Sequence, residues 1–187
     1  MKIIKQQPGT FIIIGIWIIF FIIGLNVNII DKFANHGLNI LENEYYRFVT
    51  GLFLHINFLH LLINIIALFW VGFFLEKQVG AINYFLFSIL VGTISEIIFS
   101  LIYKDSISIG GSPIVFALIG LILVYQLFKP EVPKFCLGTW YGNWIIGYTI
   151  LGNIPIFSYN ISTLTIHVIS LIVAFLIGYI CVKIKIM

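Results

Sequence analysis

Residues 81–103, AINYFLFSILVGTISEIIFSLIY, stay apolar for the thickness of a bilayer; they are followed by KDSISIGG at 104–111 and SPIVFALIGLILVYQLF at 112–128. As helices, the first stretch of about 23 residues rises roughly 35 Å, whereas the last, of about 17, covers only roughly 25 Å. If both cross one hydrocarbon layer of roughly 30 Å, Ser112 starts its helix roughly 10 Å below the surface that the first helix reaches. The segment between them must dip inward, and irregular backbone at that depth survives only where protein buries it or water lines it. The pair therefore predicts a membrane bundle with a wet cavity opening on one face.

Working outward, four more apolar stretches are long enough to cross, at 10–30, 56–76, 140–157 and 163–183. With 81–103 and 112–128 they predict an all-α polytopic bundle of six transmembrane helices, one domain over 1–187. Connections at 77–80, 104–111, 129–139 and 158–162 are short and carry turn-forming or charged residues, and only 31–47 is longer. No internal repeat of the transporter kind is visible. Leu25 is followed by Asn26, Val27 and Asn28 rather than by a small-residue cleavage site, so the first span is expected to be retained.

Composition agrees. The chain is 61% hydrophobic and 9% charged, against about a quarter charged in soluble domains, which excludes a water-soluble globule. The net charge of +3 is scattered, so no basic patch suits nucleic acid. With the N-terminus inside, Lys2, Lys5, Lys77, Lys129, Lys134, Lys183 and Lys185 fall on the inner side and only Lys32, Arg47 and Lys104 on the outer. That asymmetry predicts N-in and C-in. Cys136 and Cys181 then lie near inner helix ends, on a reducing side where free thiols are expected.

Polar side chains in hydrocarbon are costly, so His60, Asn64, Ser112 and His167 each need a partner, a cavity or a function. His60 lies roughly 6 Å and Asn64 roughly 12 Å below the start of their span, on one face by their i, i+4 spacing. His167 lies roughly 6 Å below the start of the last span, close to the depth of His60. Three spans thus bring a hydroxyl, two imidazoles and an amide to similar depth. A serine needs a base to take its proton and donors to hold the developing oxyanion. The pattern assigns Ser112 as nucleophile and His167 as general base and acid. The Ser112 backbone N–H and the His60 and Asn64 side chains are the oxyanion donors. No carboxylate stands beside His167, so a dyad is expected. Any one of these residues alone reads more economically as a helix-packing polar group.

The segments from about Glu44 to Gly178 resemble the rhomboid family of intramembrane serine proteases. The resemblance rests on Tyr46-Arg47-Phe48-Val49-Thr50, Phe53-Leu54-His55, and His60-Leu61-Leu62 with Asn64. It continues with Gly72, Glu76 and Gly80, and with Gly110-Gly111-Ser112-Pro113 followed by Ala117 and Gly120. The combined spacing is specific, whereas Gly-x-Ser alone is weak. It implies the same dyad and oxyanion set, an aromatic residue at Phe116 packed on the catalytic ring, and Arg47 organising the long first loop. It gives His55 a structural role. Gly110 and Gly111 belong to the serine motif. The stripe His167, Ser170, Ala174 and Gly178 is expected to approach Ala117 and Gly120.

Two positions depart from the family pattern. Pro113 stands where glycine is usual, biasing Ser112 away from helical backbone and removing a donor near the oxyanion. Ser170 also replaces a usual glycine, with a hydroxyl able to bond an i−4 carbonyl.

The resemblance implies an endopeptidase that cuts single-span membrane proteins near the outer leaflet, with no metal or organic cofactor. The lipid bilayer and transmembrane substrates are its partners, and no nucleic acid is among them. A bacterial plasma membrane is expected, with the site opening to the extracytoplasmic side. The alternative that Pro113 raises is an inactive rhomboid-like protein that binds transmembrane helices. A small transporter using Glu96 and the histidines is a more distant reading. Glu96, inside the third span, is expected to hydrogen-bond a neighbouring helix. Trp140, Tyr141 and Trp144 read as an interfacial belt, and Asn160-Ile161-Ser162 as a chance sequon. Nothing in the sequence sets an oligomeric state.

Overall fold

The computed structural model describes residues 6–39, 41, 43–154 and 161–187. Among these residues the helices are α1 (Pro8–Gly24), α2 (Ile30–Phe33), α3 (Arg47–Thr50), α4 (Phe58–Val79), α5 (Ala81–Ile102), α6 (Ser112–Phe128), α7 (Trp140–Leu151) and α8 (Ile161–Lys183). A 3-10 turn, Gly51–Phe53, follows α3. The described residues contain no strand, only an isolated bridge between Asn35 and Ser108. The all-helical expectation holds. Helices α4, α5 and α8 are long and apolar enough to cross a membrane, while α1 and α6 are apolar but shorter, at 17 residues each.

The span expected over 56–76 is a helix over Phe58–Val79, so the expected connection at 77–80 shrinks to Gly80, the last helix starts at Ile161 rather than at 163, and two further spans end early. The span expected over 10–30 stops being helical at Gly24, because the next N–H groups turn back onto the Ile22 and Ile23 carbonyls and Asn28 then bonds Asp31. The span expected over 140–157 is helical only to Leu151. There Asn153 Nδ2 donates to the Thr149 carbonyl at 2.7 Å, and Pro155 in the sequence disfavours continuation. The remainder of that expected span, and Asn160 of the sequon, lie outside the described residues.

Helix α6 is the axle of the bundle, with twelve buried residues among its 17. Small residues let α8 lie against it. A Cβ on Gly120 would sit 2.7 Å from the Ala174 Cβ and 2.9 Å from the Leu171 carbonyl oxygen. Ser170 is fully buried, and its hydroxyl donates to the Ile166 carbonyl at 2.8 Å, so the extra polar group is satisfied within α8.

At the other end, α1 is stapled to α4 by one carboxylate. Glu76 accepts from the Gly9 N–H at 2.6 Å, the Thr10 N–H at 2.8 Å and the Thr10 hydroxyl at 2.6 Å. An anion there meets unpaired N–H groups and the positive end of the α1 dipole together. Gly80 then reverses the chain into α5 at φ +82, a conformation glycine adopts without strain. Ile19, Leu86 and Leu176 on outward faces are each more than half exposed, an apolar surface of the kind a bilayer covers.

Candidate active site

Ser112 is reached through a segment that dips beneath the first loop and is fixed at several points. The Ser108 N–H donates to the Asn35 carbonyl at 2.7 Å, and the Gly110 N–H to the Gly51 carbonyl at 3.1 Å. Glu96 binds both strands of this crossing: it accepts from Asn35 Nδ2 at 2.6 Å and from the Ser108 hydroxyl at 2.7 Å. Its expected bond to a neighbouring helix is therefore corrected to bonds with two non-helical segments, whose backbones enter the bundle and need buried acceptors. Arg47 secures the loop above. Its guanidinium donates to the Asp31 and Ala34 carbonyls at 2.7 and 3.1 Å and to Glu44 at 2.6 Å.

The two glycines before Ser112 are required by close approach. Gly110 has φ +138 and lies against the His60 ring, and a Cβ on Gly111 would collide with the Trp17 indole, itself held by a bond from Nε1 to the Leu52 carbonyl. The Gly111 carbonyl accepts from both the Ile114 and Val115 N–H groups, closing the first turn around Ser112. This overrides the pull that Pro113 exerts toward extended backbone: Ser112 is already the first residue of α6. At that position its N–H has no acceptor within the helix and is free to meet a ligand.

His167, only 4% exposed on α8, comes to Ser112 across this helix end. Its Nε2 lies 3.0 Å from the Ser112 Oγ. Phe116, one turn along α6, stacks on the imidazole with centroids 4.1 Å apart at 19°. The other ring nitrogen, Nδ1, lies 3.1 Å from Asn153 Oδ1. Asn64 on α4 is 1% exposed; its Oδ1 accepts from the Tyr148 hydroxyl at 2.7 Å, and its Nδ2 meets no acceptor among the described residues. His60, Asn64, Ser112 and His167 all line one cavity of about 720 Å³, walled by Ala67 of α4 and by Trp144 and Tyr148 of α7. Trp144 thus borders the cavity, and Tyr141 packs on Phe74 with centroids 5.2 Å apart, so these two are more than a belt.

His55 lies outside the cavity, edge-on to both Trp17 and His60 at 5.1 Å. Burial first, and the neighbouring His60 second, hold its imidazole down at about 3, so it packs as a neutral ring. Among the described residues no three His, Cys, Asp or Glu side chains converge as metal ligands. Cys136 and Cys181 are free thiols away from the cavity.

The structure brings together all four residues that the depth argument grouped, together with Phe116, Gly110 and Gly111. It adds two that the sequence did not disclose, Tyr148 and Asn153. Neither carries a motif; their spacing to Asn64 and His167 depends on how α7 leans across the bundle.

The family model for the rhomboid domain matches residues 42–184. The chain is 28% identical over 160 residues to YdcA of Bacillus subtilis (strain 168), provisionally named a rhomboid protease; the match covers 83% of this chain and 76% of YdcA. It is 35% identical over 77 residues to RHOMBOID-like protein 2 of Arabidopsis thaliana, covering 41% of this chain and 24% of the relative. RHOMBOID-like protein 7 of the same plant is 30% identical over 87 residues, covering 46% and 28%.

Proposed function

The chain belongs to the rhomboid family, and from that premise we propose that it is an intramembrane serine endopeptidase cutting single-span membrane proteins near the outer leaflet. The observation that carries this reading is the 3.0 Å approach of His167 Nε2 to Ser112 Oγ inside an apolar cavity. In the proposed reaction Ser112 Oγ attacks the scissile carbonyl carbon while His167 Nε2 takes its proton. The carbonyl π electrons become an oxyanion, stabilised by the Ser112 N–H, Asn64 Nδ2 and His60. Collapse breaks the C–N bond, and the imidazolium returns the proton to the leaving amine. Water, deprotonated by the same nitrogen, then hydrolyses the seryl ester and regenerates Ser112. The steps require no cofactor.

Six spans over a single domain, with both termini inside, fit the basic residues gathered toward the N-terminus, Lys77, Lys129 and the C-terminus. In that orientation the cavity opens to the extracytoplasmic side, and the source membrane is a bacterial plasma membrane. The side of the cavity formed by α4 and α7 is lined by Ile63, Ala67 and Gly147, and in the proposed reading a substrate helix enters between these two helices. A substrate helix that unwinds there would present its backbone without entering water first.

The second reading is an inactive rhomboid-like protein that binds transmembrane helices, and Pro113 is the observation that favours it. A proline there removes one donor beside the oxyanion position. The two readings part in proteoliposomes holding a pool of single-span membrane proteins. The protease generates new N-termini that are absent with Ser112→Ala; the binding protein retains the helices and generates none.

A further inference from the structure

The His167 ring has a second polar partner that neither the sequence motif nor the family match assigns. Asn153 lies just beyond α7, fourteen residues before His167 in the chain, and its Oδ1 is 3.1 Å from Nδ1. Its amide orientation is fixed by the opposite end. Nδ2 donates to the Thr149 carbonyl at 2.7 Å, and the flipped amide would put two oxygens against each other there. The atom facing the imidazole is therefore an oxygen, which can only accept.

An acceptor at Nδ1 requires the proton to sit on Nδ1, which leaves the lone pair on Nε2 directed at the Ser112 hydroxyl. We propose that Asn153 is the positioning residue of the site, the third member of a Ser112–His167–Asn153 relay that fixes the reactive tautomer and orientation of His167. An amide fits this buried site better than a carboxylate would, because it orients the ring without adding a charge to be desolvated. With Phe116 stacked on its face and Asn153 at its edge, the imidazole is restrained both in tilt and in rotation.

The proposal rests on the protease reading for its catalytic meaning, but the bond itself is measurable without turnover. The full chain is labelled with 15N-histidine in lipid nanodiscs, and the His167 resonances are identified by their loss in His167→Gln. The wild type is expected to show His167 as the Nδ1–H tautomer. Asn153→Ala should shift population to Nε2–H and lower kcat about tenfold with KM within about twofold, a modest loss for a base in the wrong tautomer because Phe116 still holds the ring by its face. Asn153→Asp keeps an acceptor at Nδ1 and should recover the tautomer, with only part of the rate because its second oxygen cannot donate to the Thr149 carbonyl. An unchanged tautomer and an unchanged kcat in Asn153→Ala would overturn the proposal. If that variant does not fold, a wild-type spectrum dominated by Nε2–H overturns it alone. A wild type that shows the Nδ1–H tautomer yet neither cleaves nor labels at Ser112 contradicts the protease reading instead, and with it the catalytic role of the bond.

Discussion

Helices α6 and α7 both reach His167, but from opposite mechanical positions. Helix α6 supplies Ser112 and Phe116 and buries twelve of its 17 residues. Helix α7 supplies Tyr148, and Asn153 beyond its end, yet buries only Gly142 and Ile145 of its 12. Ser112, the proposed nucleophile, and the ring's stacking partner thus stand on the more buried of the two elements, and the hydrogen bonds that trim the site come from a wall with little packing behind it. The pairing has a physical logic. Reaction geometry tolerates small errors only, so the nucleophile belongs where core packing fixes it. In the proposed protease, the wall that a transmembrane substrate passes must yield at low cost.

The largest effect that tests this contrast comes from Phe116→Ala, which opens a cavity in α6 and removes the surface under His167. About 3–5 kcal/mol of stability should be lost, read by thermal unfolding in detergent, with activity falling further than stability explains. Loss of less than about 1 kcal/mol would mean that α6 is not the axle. Next is Gly120→Ala, where the new methyl group meets Ala174 and the Leu171 carbonyl; overpacking should cost about 1–3 kcal/mol. The matched change on the other helix, Gly147→Ala, points into open space and should gain about 0.5 kcal/mol through helix propensity. Equal costs for the two glycines would erase the comparison.

That the helix beginning at Ser112 is shorter than the one before it was legible in two apolar run lengths, and the shared face of His60 and Asn64 because helical spacing dictates it. The stacking of Phe116 needed the family resemblance, and the structure supplies its geometry. What stayed hidden depends on non-helical segments. Asn153 meets His167 through a turn whose path no periodicity encodes, and Glu96 meets Asn35 across 61 residues of chain. The end of α1 at Gly24 was missed for the opposite reason: its apolar run continues, but local turn bonds stop the helix.

The smallest effect lies far from both helices, in the first loop. Arg47, hydrogen-bonded to Glu44, holds that carboxyl below its ordinary range. Because the folded value is lowered, the contribution is present above the ordinary value of 4.5 and fades as pH falls through the lowered one. Amide protection around residues 44–47, measured relative to intrinsic exchange at each pH, should therefore fall on acidification below pH 4.5, and Glu44→Gln should flatten that response while leaving α6 and α7 unchanged.

The central claim, that Ser112 is an activated nucleophile despite Pro113, is tested most directly by treating the folded protein in nanodiscs with a fluorophosphonate and locating the adduct by mass spectrometry. One adduct on Ser112 is expected in the wild type, none in Ser112→Ala, and a rate reduced at least a hundredfold in His167→Ala. A wild-type protein that melts cooperatively and stays unlabelled would contradict the account and leave the helix-binding reading in its place.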